Sequence, residues 1–198
     1  MNTRTAGIAH IALFAALIAV LALPPALPLG PVPITAQTLG VMLAGAVLGP
    51  WRGGAAVLLF EVMVAAGLPL LTGGRGGIGA FFGPSGGYLL GWIAGAVVIG
   101  LIVHTGANRP TWLRVIVGLI GGGVLVVYLF GIPVQALVTG TTVTEAAVAS
   151  LVFLPGDALK IAIATLVTLA LWKAYPRAFG QLARTRAPQK TSAETPAA

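Results

Sequence analysis

Residues 86–105 read GGYLLGWIAGAVVIGLIVHT, a stretch that contains no Asp, Glu, Lys or Arg. A helix of about 20 apolar residues is long enough to cross the hydrocarbon core of a bilayer. Of the 198 residues in the chain, 58% are hydrophobic and only 8% are charged. A soluble domain carries about 25% charged residues, because its surface faces water. This composition, with a mean hydropathy of +1.01, predicts an integral membrane protein and not a soluble enzyme.

Five further apolar stretches have a similar character, at about 7–28, 34–50, 53–71, 112–138 and 146–173. The sequence therefore predicts an all-α integral membrane fold, a bundle of six transmembrane helices joined by short loops. Residues 1–180 form a single transmembrane substrate-binding domain in this interpretation, and the polar stretch 181–198 is expected to be disordered. Pro133 is expected to bend the fifth helix, and Pro155 either kinks or begins the sixth.

The basic residues are divided unequally between the two sides of this bundle. With the N-terminus in the cytoplasm, all of the 11 Lys and Arg residues except Arg75 and Lys160 fall on the cytoplasmic side. This is the distribution that the positive-inside rule describes. We therefore expect both termini in the cytoplasm, and we attribute the net charge of +7 to membrane topology and not to nucleic-acid binding.

Several classes of function are excluded by residues and motifs that the sequence lacks. There is no cysteine, which excludes disulfides, thiolate metal sites and cysteine nucleophiles. Two histidines are too few for a histidine metal cage, and neither GxxxxGK[ST] nor a GxGxxG motif after a strand is present. Ser85 lies among glycines without an accompanying His and Asp. We therefore expect no enzyme activity, no cofactor, no metal, and no ATP hydrolysis by this chain alone.

The connection between the third and fourth segments is rich in glycine. It reads TGGRGGIGAFFGPSGG (72–87), too glycine-rich for a stable helix. Irregular backbone near membrane depth persists only where it is buried in protein or lines a cavity, so one of these two is expected for this outer connection. In the next outer connection, Thr144 and Glu145 are expected to cap the last helix.

Three charged residues fall inside the predicted spans: Glu61, Asp157 and Lys160. Charges within a membrane are costly and mark functional sites. Asp157 and Lys160 are three residues apart and so share a helix face. They are either an ion pair that stabilises the helix or a ligand pair, an acceptor beside a donor that matches a urea or amide group. Glu61 has no partner in its own helix, and a proton relay is one possible role for it.

Small residues recur at four-residue spacing, which lets helix backbones approach closely in a membrane. The pairs and triplet are Ala12 with Ala16, Ala15 with Ala19, and Gly87 with Gly91 and Gly95. We interpret the glycine ridge as internal packing. For the alanine ridges of the first helix, internal packing and a partner surface remain equally open.

Three motifs occur in order along the chain: PITAQTLG (33–40), GPSGGY (83–88) and LPGDALK (154–160). Together they resemble the BioY family, the biotin-binding S components of energy-coupling factor (ECF) transporters, and the resemblance covers residues from about 8 to 173. It implies a six-helix bundle that captures biotin from the outer face. The loop between the third and fourth helices is then expected to cover the site.

The resemblance also implies where each part of biotin binds. The ureido ring is expected to meet Asp157 and Lys160, in agreement with the donor–acceptor argument. Tyr88 and Tyr128 are expected to form walls for the bicyclic ring and the valeryl chain.

The carboxylate of biotin is expected at the glycine-rich loop. Backbone N–H groups near Gly73 and Gly74 are candidates to bind it. Arg75 is a further candidate, which we infer and which the resemblance does not imply. In the alternative orientation Lys160 reaches the carboxylate and the ligand is inverted.

The partners implied are a transmembrane coupling subunit and ABC-type ATPase subunits. S components dock on the coupling subunit through an AxxxA ridge on the first helix, and both alanine pairs fit that description. The predicted function is biotin uptake across the cytoplasmic membrane. The alternative is a stand-alone transporter of a small vitamin-like solute coupled to protons through Glu61, and a third option is a structural or channel-like bundle. No matching inverted halves are visible in the sequence, which disfavours a secondary transporter.

Overall fold

The structure, a computed structural model, describes residues 3–25, 31–105 and 109–179. Within these ranges the chain forms helices and no strand, apart from one isolated bridge between Leu71 and Arg75. The predicted all-α class is therefore confirmed. The tail predicted to be disordered, 181–198, lies outside the described residues.

The helices follow one another along the chain with few irregular connections. The first four are α1 (Thr3–Val20), α2 (Gln37–Leu48), α3 (Pro50–Ala65) and α4 (Gly86–His104). The next four are α5 (Trp112–Ile120), α6 (Val127–Thr139), α7 (Val143–Ser150) and α8 (Leu154–Ala174). A π-helical stretch, Gly121–Val126, joins α5 to α6, and a 3₁₀ stretch, Leu151–Phe153, joins α7 to α8. Short 3₁₀ turns also occupy Ile78–Phe81 and Pro176–Ala178.

Three helical stretches among the described residues are long and apolar enough to cross a membrane. They are Gly86–His104, Trp112–Thr139 and Val143–Ala174. Thr5–Val20 and Gln37–Leu48 are apolar but shorter. A bundle of apolar helices is confirmed, whereas six spans with both termini in the cytoplasm remain a prediction.

The glycine ridge of α4 packs against the π-helical stretch and α6. A Cβ atom on Gly95 would lie 2.6 Å from the carbonyl oxygen of Gly122, and one on Gly87 would lie 2.3 Å from that of Phe130. Both separations are shorter than a carbon–oxygen contact allows, so only glycine permits this approach. The interpretation as internal packing is confirmed. Pro133 lies inside α6, but the departure from α-helical geometry comes earlier, in Gly121–Val126.

The last long helix is interrupted immediately before Pro155. α7 ends at Ser150, and α8 begins at Leu154 with Pro155 in its first turn, where proline's missing N–H does not disrupt hydrogen bonding. The predicted capping role is confirmed for Glu145 and wrong for Thr144, because the N-cap of α7 is Thr142. Its hydroxyl accepts a 3.2 Å hydrogen bond from the Glu145 N–H, and the Glu145 carboxylate accepts one of 2.8 Å from the Thr142 N–H. This reciprocal capping box requires Thr three residues before Glu.

The start of α1, the start of α3 and the end of α4 lie at one end of the bundle. The Arg52 guanidinium lies against Gly7 of α1, and the His104 ring lies against Gly49, immediately before α3. Arg114, at the start of α5, donates a 2.5 Å hydrogen bond to the Thr105 carbonyl. Phe179, which follows α8, is fully buried and stacks on His104 with a centroid distance of 6.3 Å. Basic residues therefore gather at the end of the bundle to which the chain returns after α8.

Candidate functional site

Two cavities adjoin each other, and the larger of them lies beside the glycine-rich segment (72–87). The larger one, which we call the chamber, has a volume of about 520 Å³, and the smaller one, the polar pocket, about 60 Å³. Residues shared by both linings connect them: Val32, Pro33, Thr35, Tyr88 and Trp92. Of the two alternatives for the glycine-rich segment, the structure shows that it lines a cavity.

The polar pocket contains the predicted acidic and basic pair. Lys160 Nζ lies 3.3 Å from Asp157 Oδ1, and their side chains are only 13% and 9% exposed. The Tyr128 hydroxyl donates a 2.7 Å hydrogen bond to the other carboxylate oxygen, Oδ2. The predicted proximity of Asp157 and Lys160 is confirmed. The pair presents a carboxylate beside an ammonium group without net charge, which limits the cost of placing it inside the bundle.

Three aromatic rings form a wall beside this pair. Tyr88, Tyr128 and Phe153 pack edge to face, with centroid distances between 6.1 and 6.3 Å, the arrangement that aromatic quadrupoles favour. The Tyr88 hydroxyl donates a 2.8 Å hydrogen bond to Gln135 Oε1 and lies 2.8 Å from Ser150 Oγ. Because these partners fix its hydroxyl, Tyr88 presents its ring to both cavities.

The glycine-rich segment closes the chamber through a tight turn. Gly73 and Gly74 have φ angles of 79° and 70°, a region that glycine adopts without steric penalty, and the Leu71 N–H donates a 2.9 Å hydrogen bond to the Arg75 carbonyl. Gly74 and Arg75 line the chamber, whereas Gly73 lines a neighbouring cavity of about 480 Å³ that Arg75 also borders. Of the three residues predicted to bind a carboxylate, the structure therefore places two on the chamber.

Gln37 holds this segment in place. Its side-chain N–H₂ donates to the carbonyl oxygens of Ile18 and Leu70, at 3.3 and 3.1 Å. Its carbonyl Oε1 accepts hydrogen bonds from the Thr72 N–H and hydroxyl, at 3.3 and 3.1 Å. All four hydrogen-bonding positions of this buried amide are used, so Gln37 links α1, α2 and the segment that covers the chamber.

Several lining residues were not predicted from the sequence. They are Thr35, Thr38, Trp92 and Phe153. Thr35 and Thr38 belong to the motif PITAQTLG, and Trp92 is one helical turn after Tyr88 on α4, so motif membership and helical spacing could have identified three of the four. Phe153 lies in the 3₁₀ stretch before α8, where no sequence pattern marks it.

The two alanine pairs of α1 face in different directions. Ala12 and Ala16 are exposed, together with Ile8 and Val20 at the same four-residue spacing. Ala15 is 1% exposed and Ala19 is partly buried against the core. The structure therefore leaves Ala12 and Ala16 accessible to a partner and uses Ala15 and Ala19 for internal packing.

Glu61 lies apart from both cavities. It is buried in α3, and its Oε1 has no hydrogen-bond partner among the described residues. It lines neither the chamber nor the polar pocket. The site therefore provides no role for this carboxyl group.

Comparison of the sequence with models of known protein families gives a match to the BioY family over residues 1–177. The chain belongs to the BioY family. The resemblance carried by the three motifs is thereby confirmed over nearly the whole described chain.

Named members of the BioY family are similar to the chain over most of its length. The biotin transporter BioY of Rhizobium etli is 45% identical over 183 residues, covering 89% of this chain and 97% of that protein. The biotin transporter BioY of Rhodobacter capsulatus is 47% identical over 178 residues, covering 85% and 94%. These BioY relatives are named as transporters, and the prediction of a transport protein and not an enzyme is confirmed.

A solved structure extends the similarity of this BioY-family chain to three dimensions. The crystal structure of the S-component for biotin from an ECF-type ABC transporter superposes with a TM-score of 0.82 at 32% identity. The match covers 87% of this chain and 95% of that one. The helical architecture that surrounds the two cavities is therefore that of an S component.

Proposed function

We propose that this chain is the biotin-capturing S component of an ECF-type transporter in the cytoplasmic membrane. In this proposal the single domain 1–180 crosses the membrane six times, with both termini in the cytoplasm. Arg52 and Arg114 lie at the end of the bundle that would face the cytoplasm. The glycine-rich segment 72–87 follows the end of α3 that is opposite to Arg52. The chamber lies beside this segment and would open to the outside.

The observation that carries this proposal is a charge-neutral polar pocket that adjoins a larger chamber, which is bordered by Arg75, a cation without an ion-pair partner among the described residues. Asp157 and Lys160 neutralise each other in the pocket, and an acceptor beside a donor matches the N–H and C=O groups of a cyclic urea. Arg75 borders the chamber and forms no ion pair with the described residues. Biotin combines a cyclic urea at one end with a carboxylate at the other, which corresponds to this arrangement.

The charges also favour one ligand orientation over its inverse. A carboxylate placed at Lys160 would have to compete with Asp157, whose Oδ1 is 3.3 Å from Nζ. At Arg75 it meets a guanidinium without a carboxylate neighbour among the described residues, and guanidinium–carboxylate hydrogen bonds are strong. We therefore place the ureido ring in the polar pocket and the carboxylate at Arg75, with Tyr88, Tyr128 and Trp92 beside the ring system and the chain.

Titration calorimetry on the purified protein tests this proposal. Biotin is expected to bind with a stoichiometry near one in the absence of any partner protein. Asp157→Asn is expected to abolish binding. Glu145→Gln, which removes an exposed carboxylate at the start of α7, is expected to leave it unchanged. A purified, folded protein that gives no signal with biotin would contradict the proposal.

The partners follow from the same assignment. We propose that a transmembrane coupling subunit docks on the exposed row of α1 that contains Ala12 and Ala16, and that ABC-type ATPase subunits supply the energy. Small exposed side chains permit close approach of a partner helix in a membrane. Ala16→Trp is expected to prevent co-purification with the coupling subunit while leaving biotin binding intact. Ala162→Trp, at an exposed alanine of α8, serves as the matched control, and equal loss in both variants would contradict the docking face.

A stand-alone proton-coupled transporter has less support. That function would require Glu61 to communicate with the ligand, but Glu61 lines neither cavity. No observation links its carboxyl group to the polar pocket, so we do not assign it a transport role.

A further inference from the structure

Thr38 lies on the polar pocket with an unused hydroxyl group. It is the second residue of α2 and lines the pocket together with Asp157 and Lys160. Its Oγ1 is buried and has no hydrogen-bond partner among the described residues. A buried hydroxyl without a partner is unfavourable by an amount comparable to a lost hydrogen bond.

Two other helical threonines satisfy their hydroxyl groups within the helix, whereas Thr168 does not. Thr139 and Thr165 donate to the carbonyl oxygens four residues earlier, Gln135 and Ile161, at 2.8 and 2.7 Å, the usual solution for a helical threonine. Thr38 lies in the first turn of α2, so the residue four positions earlier, Ile34, precedes the helix. The hydroxyl is therefore free to serve a ligand in the pocket.

A cyclic urea needs one more polar partner than the ion pair supplies. It has two N–H donors on either side of one carbonyl acceptor. Lys160 can donate to the carbonyl and Asp157 can accept from the adjacent N–H, which leaves the second N–H without an acceptor. The Tyr128 hydroxyl donates to Asp157 and its oxygen is a weaker acceptor because its lone pairs are delocalised into the ring, whereas the aliphatic hydroxyl of Thr38 has no partner among the described residues and can accept.

We infer that the Thr38 hydroxyl accepts a hydrogen bond from the second ureido N–H and so completes recognition of the head group. This inference rests on the proposed function, because it concerns the same pocket and ligand. It makes Thr38 a specificity-determining residue that distinguishes a urea from ring systems with a single N–H. Thr35 is the competing hydroxyl, but it lies at the junction of both cavities, whereas Thr38 borders only the polar pocket.

Calorimetric titration of biotin into matched variants tests the inference. Thr38→Val keeps the shape and removes the hydroxyl, so the Kd should rise roughly tenfold, the effect of one neutral hydrogen bond. Thr38→Ser restores the hydroxyl and should stay within about threefold of the unmodified protein. Thr168→Val is the control, because the Thr168 hydroxyl is also buried and unpartnered but lines neither cavity; its Kd should not change.

Two biotin analogues, each with one ureido N–H replaced by oxygen, provide the second arm. The unmodified protein should bind both analogues more weakly than it binds biotin. The analogue that lacks the N–H facing Thr38 should bind to Thr38→Val and to the unmodified protein with equal affinity, because the hydrogen bond that the variant removes is already absent. Three results would overturn the inference while leaving biotin capture intact. Thr38→Val could bind biotin with unchanged affinity, Thr38→Ser could lose as much affinity as Thr38→Val, or the loss could appear in Thr35→Val instead. Absence of biotin binding by the unmodified protein would instead reject the proposed function.

Discussion

The hydroxyl of Tyr128 donates a hydrogen bond of 2.7 Å to Oδ2 of Asp157, a residue 29 positions later in the chain. Lys160 lies 3.3 Å from the other oxygen, Oδ1. The carboxylate is therefore oriented from two sides by groups on two helices. A binding group that is already oriented loses less conformational entropy when the ligand arrives.

Tyr128→Phe should weaken biotin binding by about tenfold or more, because a hydrogen bond to a charged group contributes about 1.5–3 kcal/mol. The ring remains, so the wall beside the pocket is preserved. Titration calorimetry measures the change. Tyr175→Phe, at a half-exposed tyrosine beyond the end of α8, is the control, and equal affinities in the two variants would argue against a role for the Tyr128 hydroxyl.

Replacing only one member of the Asp157–Lys160 pair should destabilise the protein by about 3–5 kcal/mol, because the remaining charge is buried and unpaired. The double variant Asp157→Asn/Lys160→Met should recover much of that stability, since it leaves no buried charge. Thermal unfolding in detergent measures stability, and calorimetry measures binding. Biotin binding should be lost in all three variants. A double variant less stable than both single variants would contradict the assignment of the pair as mutually neutralising.

Arg75→Gln should weaken biotin binding by about tenfold or more, because it removes a charge-assisted hydrogen bond to the carboxylate. The same substitution should leave the affinity for biotinamide nearly unchanged, because this analogue lacks the negative charge. Comparing the two ligands by calorimetry separates loss of the carboxylate contact from damage to the loop. A similar loss for both ligands would indicate that Arg75 acts on the loop and not on the ligand.

Gly76→Ala should displace the segment that covers the chamber and weaken biotin binding. A Cβ atom at position 76 would lie 2.2 Å from the carbonyl oxygen of Leu68, whereas one at Gly79 would have no neighbour within 4 Å. Gly79→Ala is therefore the matched control within the same segment, and calorimetry should show near-normal affinity for it. Equal affinities in both variants would show that the packing against Leu68 does not position the segment.

Phe179→Ala should lower the free energy of unfolding by about 3–5 kcal/mol, the usual effect of deleting a buried aromatic ring. The Phe179 ring stacks on His104 and packs edge to face on Trp172, at 5.2 Å between centroids. Biotin affinity should stay close to normal, because this cluster lies at the opposite end of the bundle from the chamber. Thermal unfolding measures the change, and Tyr175→Ala, at a half-exposed side chain, should have a much smaller effect.

Local spacing predicted the part of the site that lies on a single helix. Asp157 and Lys160 are three residues apart, so any α-helix brings them together, and scarcity of charge in the chain made the pair conspicuous. Pro155 was likewise predictable, because its missing N–H is tolerated in a first helical turn.

Contacts between distant segments could not be predicted in the same way. The pairs Ala12–Ala16 and Ala15–Ala19 consist of the same residue type at the same spacing. Only the packing of α1 against its neighbours decides which pair is exposed. The hydrogen bond from Tyr128 to Asp157 depends on how α6 crosses α8. The π-helical stretch Gly121–Val126 was also missed, because its hydropathy does not differ from that of a regular span.

Gln37 connects the segment that covers the chamber, which would face the ligand, to α1, which would face the coupling subunit. Its four hydrogen bonds reach Ile18 of α1, Leu70 and Thr72, so the segment over the chamber and the helix that exposes Ala12 and Ala16 cannot separate without leaving a buried amide unpaired. A change in the position of one requires either a matching change in the other or the loss of these bonds. If a ligand in the chamber shifts the segment above it, the affinity for that ligand and the affinity for a protein docked on α1 would be coupled, each binding event changing the other by the same factor.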